Sequence, residues 1–323
     1  MNILIASAGT RNKVVQYFVN EFKGIGKVIA TDASELAPAI YDADKYYIVP
    51  KIDDPNYIDN LLDICKKEDI KCILSLIDPE LSLIAKNHEK FEAIGVTPLI
   101  SDYEAVELAF DKYKMFKYLE ENGYKAAKTY VNKEDFYKDL EQGKISFPVF
   151  IKPVKGSASI NISKVTTKEE VELLFNLYDD LIIQEFLDGQ EIGADVYNDP
   201  ISNKVVSIFT KEKIKMRAGE TDKARSFKDQ KLFGLITELV EKIGYKYMID
   251  MDIFHIGDEY YISEINPRFG GGYPHAYECG VNFPKMIVNS MQGNENQNTI
   301  GEYEENVYMM KYNEVAIIKK WTY

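Results

Sequence analysis

A parallel α/β domain followed by a larger α+β region is the fold class that this sequence predicts. Two observations carry the prediction. Over residues 1–105, short apolar runs alternate with helical stretches, which is the pattern of βαβ units and a Rossmann-like sheet. From Ala105 onward the alternation gives way to mixed helices and strands, with two late strands joined by a short turn. The length of 323 residues agrees with two domains or more at roughly 150 residues each.

The elements follow in order. Ile3 to Ala6 is a buried strand that runs into Gly9 and a helix from Lys13 to Phe22. Val28 to Thr31 is a second strand, ending at Asp32. Asp59 to Lys67 is a helix with apolar spacing at Leu61, Leu62 and Cys65. Cys72 to Ile77 is a strand ending at Asp78, Leu81 to Phe91 a helix, and Val96 to Ile100 a strand. Ligands on such sheets lie beyond the carboxyl ends of the strands, which places Gly9, Arg11, Asp32 and Asp78 at a mouth. Ordinary turn and cap chemistry accounts for the same residue types.

In the second region, Asp111 to Asn122 is an amphipathic helix closed by Gly123. Phe147 to Lys152 is a strand, Glu169 to Leu177 a helix and Leu181 to Gln184 a strand. Strands over Ile192–Tyr197 and Val205–Phe209 precede a helix from Asp229 to Ile243. Met248–Phe254 and Tyr260–Asn266 read as a hairpin, and the tail from Tyr303 to Tyr323 as a peripheral strand.

Composition narrows the function classes. The net charge of −13 argues against non-specific binding to nucleic acid or an anionic membrane, both of which need a basic surface. Three widely spaced cysteines (Cys65, Cys72, Cys279) and three histidines fit neither a disulfide framework nor a structural zinc site. No apolar run reaches the ~18 residues of a membrane span, and the first residues read as a strand rather than a signal peptide. A cytoplasmic protein is the expectation. Phosphate-loop, dinucleotide, zinc-protease and serine-elbow motifs are absent. Gly270-Gly-Gly272 follows no first strand and is not a dinucleotide fingerprint.

Three segments carry chemistry. The strongest is Ile262-Ser-Glu-Ile-Asn-Pro-Arg268. On a strand Glu264 and Asn266 share a face, because the side-chain period is two. The hairpin brings Asp252 opposite Glu264. Two carboxylates and an amide oxygen suit Mg²⁺, which keeps its other positions for water and phosphate. The second segment is Phe147 to Ser159, where a strand delivers Lys152 to a loop of small residues that backbone N–H groups and a lysine make suitable for phosphate. The third is Leu181 to Glu191, an apolar strand ending in Glu185-Phe186-Leu187, then a Gly turn and Glu191. Strand-end polarity explains that last segment when it is taken alone.

Together these segments resemble the ATP-grasp superfamily, and most closely its single-module, carbamoyl-phosphate-synthase-like group. The resemblance spans nearly the whole chain. It implies a Rossmann-like pre-ATP-grasp domain at 1–105, a small ATP-grasp lobe at 106–187, and a C-terminal lobe with the metal site at 188–323. It further implies that Lys112 and Lys152 contact ATP phosphates and that Ser157, Ala158 and Ser159 form the loop closing on them. By the same resemblance Glu185 with the Phe186–Leu187 backbone reads adenine, and Glu191 takes the ribose. The resemblance also implies that Asp252, Glu264 and Asn266 hold Mg²⁺ or Mn²⁺, that Arg268 contacts phosphate and that Arg217 lies near the γ-phosphate and acceptor. Lys213 and Lys223 flank Arg217 and read as solvated lysines, and His275 as a structural histidine. The chain departs from the family pattern at Asn161, where a glycine is usual, at Lys125-Ala-Ala-Lys128, where prolines are usual, and at Asp252, where a longer side chain is usual.

The implied reaction is ATP-dependent amide formation through an acyl phosphate, from a small-molecule carboxylate and an amine, by a monomer or homodimer. Carbamoyl-phosphate-type phosphorylation and a non-catalytic ATP-binding sensor are the competing readings.

Overall fold

The structure is a computed structural model that describes residues 1–156 and 162–318. The first sheet is built from β1 (Asn2–Ala6), β2 (Val28–Asp32), β3 (Lys45–Ile48), β4 (Ile70–Ser75) and β5 (Thr97–Pro98). All pairs are parallel, in the order β3-β2-β1-β4-β5. Helices α1 (Asn12–Phe22), α2 (Tyr57–Lys67), α3 (Asp78–Lys86) and α4 (His88–Glu92) connect them, with a 3₁₀ turn at Pro38–Asp42. Both faces of the sheet are covered, so β1 is apolar without alternation. Ile3 and Ile5 pack with Val14, Val15 and Phe18 of α1, while Leu4 packs with Leu61 and Leu62 of α2 on the opposite side.

Sequence and structure differ here in three places. Strand β4 begins at Ile70 and ends at Ser75, two residues earlier than expected. The helix expected over 81–91 is two helices, because Asn87 turns its side chain back onto the Leu83 carbonyl at 2.9 Å and ends the first. Strand β3 has exposed side chains at three of four positions and no apolar run to announce it.

The second sheet is antiparallel, ordered β6-β9-β7-β8, from β6 (Thr129–Tyr130), β7 (Val149–Pro153), β8 (Ser163–Val165) and β9 (Leu181–Glu185). It is preceded by α5 (Tyr103–Phe110) and α6 (Lys112–Glu121). Asp111 caps α6 by accepting from the Tyr113 and Lys114 amides, and this cap separates α6 from α5, a helix the sequence pattern did not announce. Helices α7 (Lys133–Glu141) and α8 (Lys168–Leu177) cover one face through Phe136 and Val171, packed on Val149, Ile151 and Ile183.

The third sheet is antiparallel, ordered β14-β13-β10-β11-β12-β15. Its strands are β10 (Gln190–Asp199), β11 (Lys204–Arg217), β12 (Glu220–Phe227), β13 (Tyr247–Ile256), β14 (Glu259–Asn266) and β15 (Tyr308–Met310). Helix α9 (Gln230–Ile243) lays Leu232, Ile236, Leu239 and Val240 on it and ends at Gly244, whose φ of 82° suits a left-handed cap. Helices α10 (Tyr273–Glu278) and α11 (Phe283–Met291) follow β14. The expected tail strand is the short edge strand β15, and residues 319–323 lie outside the described residues. Among the described residues no helix is long and apolar enough to cross a membrane.

Candidate active site

The β13–β14 hairpin sets the register of the central acids. Asp252 stands opposite Glu264, and Asp250 opposite Asn266. Each strand therefore presents two polar side chains on one face, as the period of two requires. Asn266 is buried and Glu264 half-buried. Among the described residues Glu264 accepts no hydrogen bond, although it faces Lys152, Asp252 and Arg268 electrostatically.

Lys152 reaches the same place from β7. It is 9% exposed, and burial pushes its ammonium below the ordinary lysine range, with Glu264 opposing and Lys112 adding to the effect. Among the described residues it donates no hydrogen bond. A desolvated ammonium without a partner is costly unless an anion completes it. Lys112 opens α6 and donates to the Gly156 carbonyl at 2.6 Å, at the edge of the small-residue loop. Beside Glu264 lies a narrow crevice lined by Asp78, Phe110, Gly156, Glu264, Asn266 and Pro267. Ser157, Ala158 and Ser159, the expected phosphate loop, lie outside the described residues, as does Asn161.

The strand-end segment also takes shape. Strand β9 ends at Glu185, so the main chain of Phe186 and Leu187 continues beyond the ladder. The Glu185 carboxylate turns onto the Lys128 amide at 3.1 Å. Phe186 packs on Phe150, and the Lys164 ammonium sits 3.8 Å from its ring centroid.

One expectation about a cation needs correction. Lys213 is not a solvated lysine. Its ammonium lies between Glu191 at 2.8 Å and Asp252 at 2.6 Å, with the side chain 4% exposed. Burial opposes its charge, but Asp252 and Glu191 outweigh burial and hold it above the ordinary lysine value. Glu191 and Asp252 are thus already bridged by a cation. Arg217, by contrast, is half exposed and pairs with Asp222 at 3.2 Å, near the tip of the β11–β12 hairpin. Lys223 is exposed, as expected.

Arg268 is locked from two sides. Its Nε and Nη2 lie 3.2 and 3.3 Å from the two oxygens of Asp78, at the start of α3. Its Nη1 donates to Asp250 at 2.9 Å and to the Phe269 carbonyl at 3.2 Å. Burial works against the guanidinium charge, and Asp78, Asp250 and Glu264 more than restore it. Of the two Asp78 oxygens only Oδ2 accepts a hydrogen bond, and the ion pair joins the first sheet to the third. Sequence alone flagged Asp78 only as a mouth residue and did not pair it with Arg268.

Glycines 270–272 exist for this charge network. A Cβ at Gly270 would fall 2.2 Å from Asp250 Oδ1, one at Gly271 2.5 Å from Arg11 Nη1, and one at Gly272 2.9 Å from Lys211 Nζ. The run precedes the short helix α10 after β14, so it does open a helix, though not a dinucleotide one. Gly270→Ala should push Asp250 off Arg268 and lower turnover tenfold or more with little change in circular dichroism. Unchanged turnover would mean that Asp250 does not position Arg268.

His275 is structural. Its Nε2 meets the Val307 carbonyl at 3.0 Å, its ring packs edge-on against Phe209, and burial, then Lys211, pushes its pKa down to about 4.

The comparisons with known proteins can now be set beside this geometry. A family described as an ATP-grasp domain matches residues 109–272, just over half of the 323-residue chain. The chain belongs to the ATP-grasp family. Residues 3–99 match a second family, described as a PylC-like N-terminal domain. A carbamoyl-phosphate synthase of Methanobrevibacter smithii is 29% identical over 304 residues, covering 86% of this chain and 77% of that protein. A D-alanine–D-alanine ligase of Flavobacterium johnsoniae is 35% identical over 124 residues, which is 36% of this chain and 38% of the ligase. Among solved structures, the biotin carboxylase domain of Hydrogenobacter thermophilus 2-oxoglutarate carboxylase, with MgADP, superposes with a TM-score of 0.77 at 18% identity, over 95% of this chain and 73% of that one. N5-carboxyaminoimidazole synthetase of Staphylococcus aureus gives 0.71 at 16% identity, over 92% and 78%. These two likenesses establish the fold. The family, the parallel N-terminal sheet and the ligase class expected from the sequence stand with these findings.

Proposed function

We propose that this ATP-grasp protein is a Mg-ATP-dependent carboxylate–amine ligase acting on small molecules through an acyl phosphate. The observation that carries the proposal is the juxtaposition of Lys152, a buried ammonium, with Glu264, a carboxylate that faces it electrostatically, neither of which makes a hydrogen bond among the described residues. One group calls for an anion and the other for a cation, which is what Mg-ATP supplies together.

The donor set suits the metal. Glu264, Asn266 and Asp252 offer hard oxygens, and Glu264 accepts no hydrogen bond among the described residues. When bound, Mg²⁺ would neutralise phosphate charge; Mn²⁺ would serve the same oxygens. Asp252 must share itself with Lys213. Asp250 is a poorer substitute than its position suggests, because Arg268 holds it at 2.9 Å. Asp252→Asn should therefore raise the Mg²⁺ concentration needed for half-maximal turnover several-fold. An unchanged Mg²⁺ titration would remove Asp252 from the ligand set.

The residues divide the work as follows. Glu185 and the Phe186–Leu187 main chain receive adenine, and Glu191, steadied by Lys213, the ribose. Lys112, Lys152 and the 157–159 loop hold phosphate oxygens. An oxygen of the substrate carboxylate attacks the γ-phosphorus and ADP leaves. Amine nitrogen then attacks the acyl carbon, phosphate leaves, and the nitrogen loses a proton. Arg268, fixed by Asp78 and Asp250, would face the charge that builds on the acyl phosphate. Positioning and charge neutralisation suffice for such transfers. Arg217 belongs to the acceptor side of this scheme. A cytoplasmic location and a homodimer complete the proposal; the free cysteines Cys65, Cys72 and Cys279 support the former.

ADP release from Mg-ATP, with pools of amino acids and small carboxylates, tests the reading. Stimulation by a pool supports it, and Mg-ATP binding without any stimulation would favour a sensor. A second reading, phosphorylation of bicarbonate or carbamate, is favoured by the match to carbamoyl-phosphate synthase over 86% of the chain. Stimulation by bicarbonate and ammonia alone would select it.

A further inference from the structure

Apart from the crevice at Glu264, a cleft of about 280 Å³ opens between the first and third sheets. Thr10, Arg217, Glu220, Asp222 and Lys311 line it. Glu220 begins β12, just after the hairpin tip where Ala218 and Gly219 take φ of 50° and 77°. Its carboxylate is shared by two cations. One oxygen lies 2.8 Å from Arg11 Nη1, on the β1–α1 turn, and the other 2.7 Å from Lys311 Nζ, after β15. Three cations (Arg11, Arg217, Lys311) thus meet two carboxylates (Glu220, Asp222) at the cleft, and Asp250 and Asp78 act on Arg11 as well.

Arg11 connects this cleft to the reaction centre. Burial disfavours its charge and the guanidinium of Arg268 adds to that effect, while Glu220 foremost, then Asp250 and Asp78, oppose it. Both guanidinium groups lean on carboxylates of the protein itself, Arg11 on Glu220 and Arg268 on Asp78 and Asp250. Gly271 lets Arg11 and Glu220 pass where a Cβ would stand 2.5 Å from Arg11 Nη1.

We propose that Arg11 and Lys311 form a seat for an anchoring carboxylate of one substrate, and that Glu220 is the resident counter-ion which that carboxylate displaces. The ligand class is a small molecule bearing a carboxylate remote from its reacting group. An amino acid entering as the amine and a dicarboxylic acid entering as the acyl donor share this chemistry. The seat deepens the ligase reading, and its kinetic test rests on that reading. Its binding test does not.

The binding test removes Glu220 and supplies acetate. Glu220→Ala should lower the melting temperature, and tens of millimolar acetate should restore most of the loss. Acetamide and equal chloride should not, and acetate should leave the wild type unmoved. An acetate response no larger than the wild type's overturns the seat. Glu220→Gln keeps the side-chain shape and guards against misfolding of the alanine variant. It should lower the KM of the stimulating pool several-fold, while Arg11→Met raises it at least tenfold, each with the KM for ATP within twofold. A change in the ATP constant equal to that of the pool, or no change in either, also overturns the seat. Separate amino-acid and dicarboxylate pools identify the source. Acetate rescue without stimulation by any pool would overturn the ligase reading and leave the seat standing.

Discussion

Lys152→Met should abolish substrate-stimulated ADP release to within about a hundredth to a thousandth of the wild-type rate, and the protein should be no less stable for it. The two halves of this result have one cause. In the structure the Lys152 ammonium is 9% exposed, and among the described residues it donates no hydrogen bond, so its charge is a cost to the ligand-free fold. A methionine of similar length keeps the packing and removes that cost. In the proposed reaction the same ammonium would face phosphate oxygens, and loss of one preorganised charge in a dry site costs about two to three orders of magnitude. Glu264→Gln should lose activity similarly, because the amide keeps the shape but loses the charge a cation needs. A urea midpoint at or above wild type, with lost turnover, is the expected pair of measurements. Turnover within tenfold of wild type for both variants would remove these residues from the site.

The legibility of this protein followed the range of the interactions. Glu264 and Asn266 could be placed because strand alternation is local; the Gly257-Asp258 turn alone would set Asp252 opposite Ser263, and a one-residue bulge between Asp252 and Ile253 is what brings it opposite Glu264. The β9 end and Lys152 on β7 were visible for the same local reason as Glu264. Lys213 was not. In Lys211-Glu-Lys213-Ile-Lys215 the lysines alternate as they would on a solvated strand face. Their burial depends on β10 crossing opposite, where Gly193 pairs with Lys211 and carries no Cβ to block either lysine. The ion pair between Asp78 and Arg268 spans 190 residues of sequence, and Arg11–Glu220 spans 209, so no spacing rule could join them. Helix α5 escaped because Asp111 announces only the helix that begins at it. Glycines 193 and 272 were the available signal: paired across Lys211, they mark a lysine that passes inward.

That lysine yields the largest expected effect on stability. Lys211 and Asp195 are each 1% exposed and form an ion pair beneath the active-site sheet. Burial pushes Asp195 toward its neutral form, Lys211 opposes this, and the nearby Asp250 adds to it. Asp195→Ala leaves the Lys211 ammonium buried without its hydrogen-bonded partner, which should cost about 3–5 kcal/mol, measured as a shift in urea midpoint at unchanged slope. Gly193 and Gly272 close over the lysine, within 2.9 Å of where a Cβ would stand, so it cannot swing to water without moving both segments. The double variant Asp195→Leu with Lys211→Met should recover most of the loss, since an apolar pair of similar volume avoids desolvating two charges. Activity separates structure from function in the recovered protein. Asp250 holds Arg268 at 2.9 Å and is coupled electrostatically to Asp195. If the pair only fills the core, the double variant turns over normally. If it also sets the field around Asp250, stability returns and turnover does not, and the ion pair then belongs to the support of Arg268.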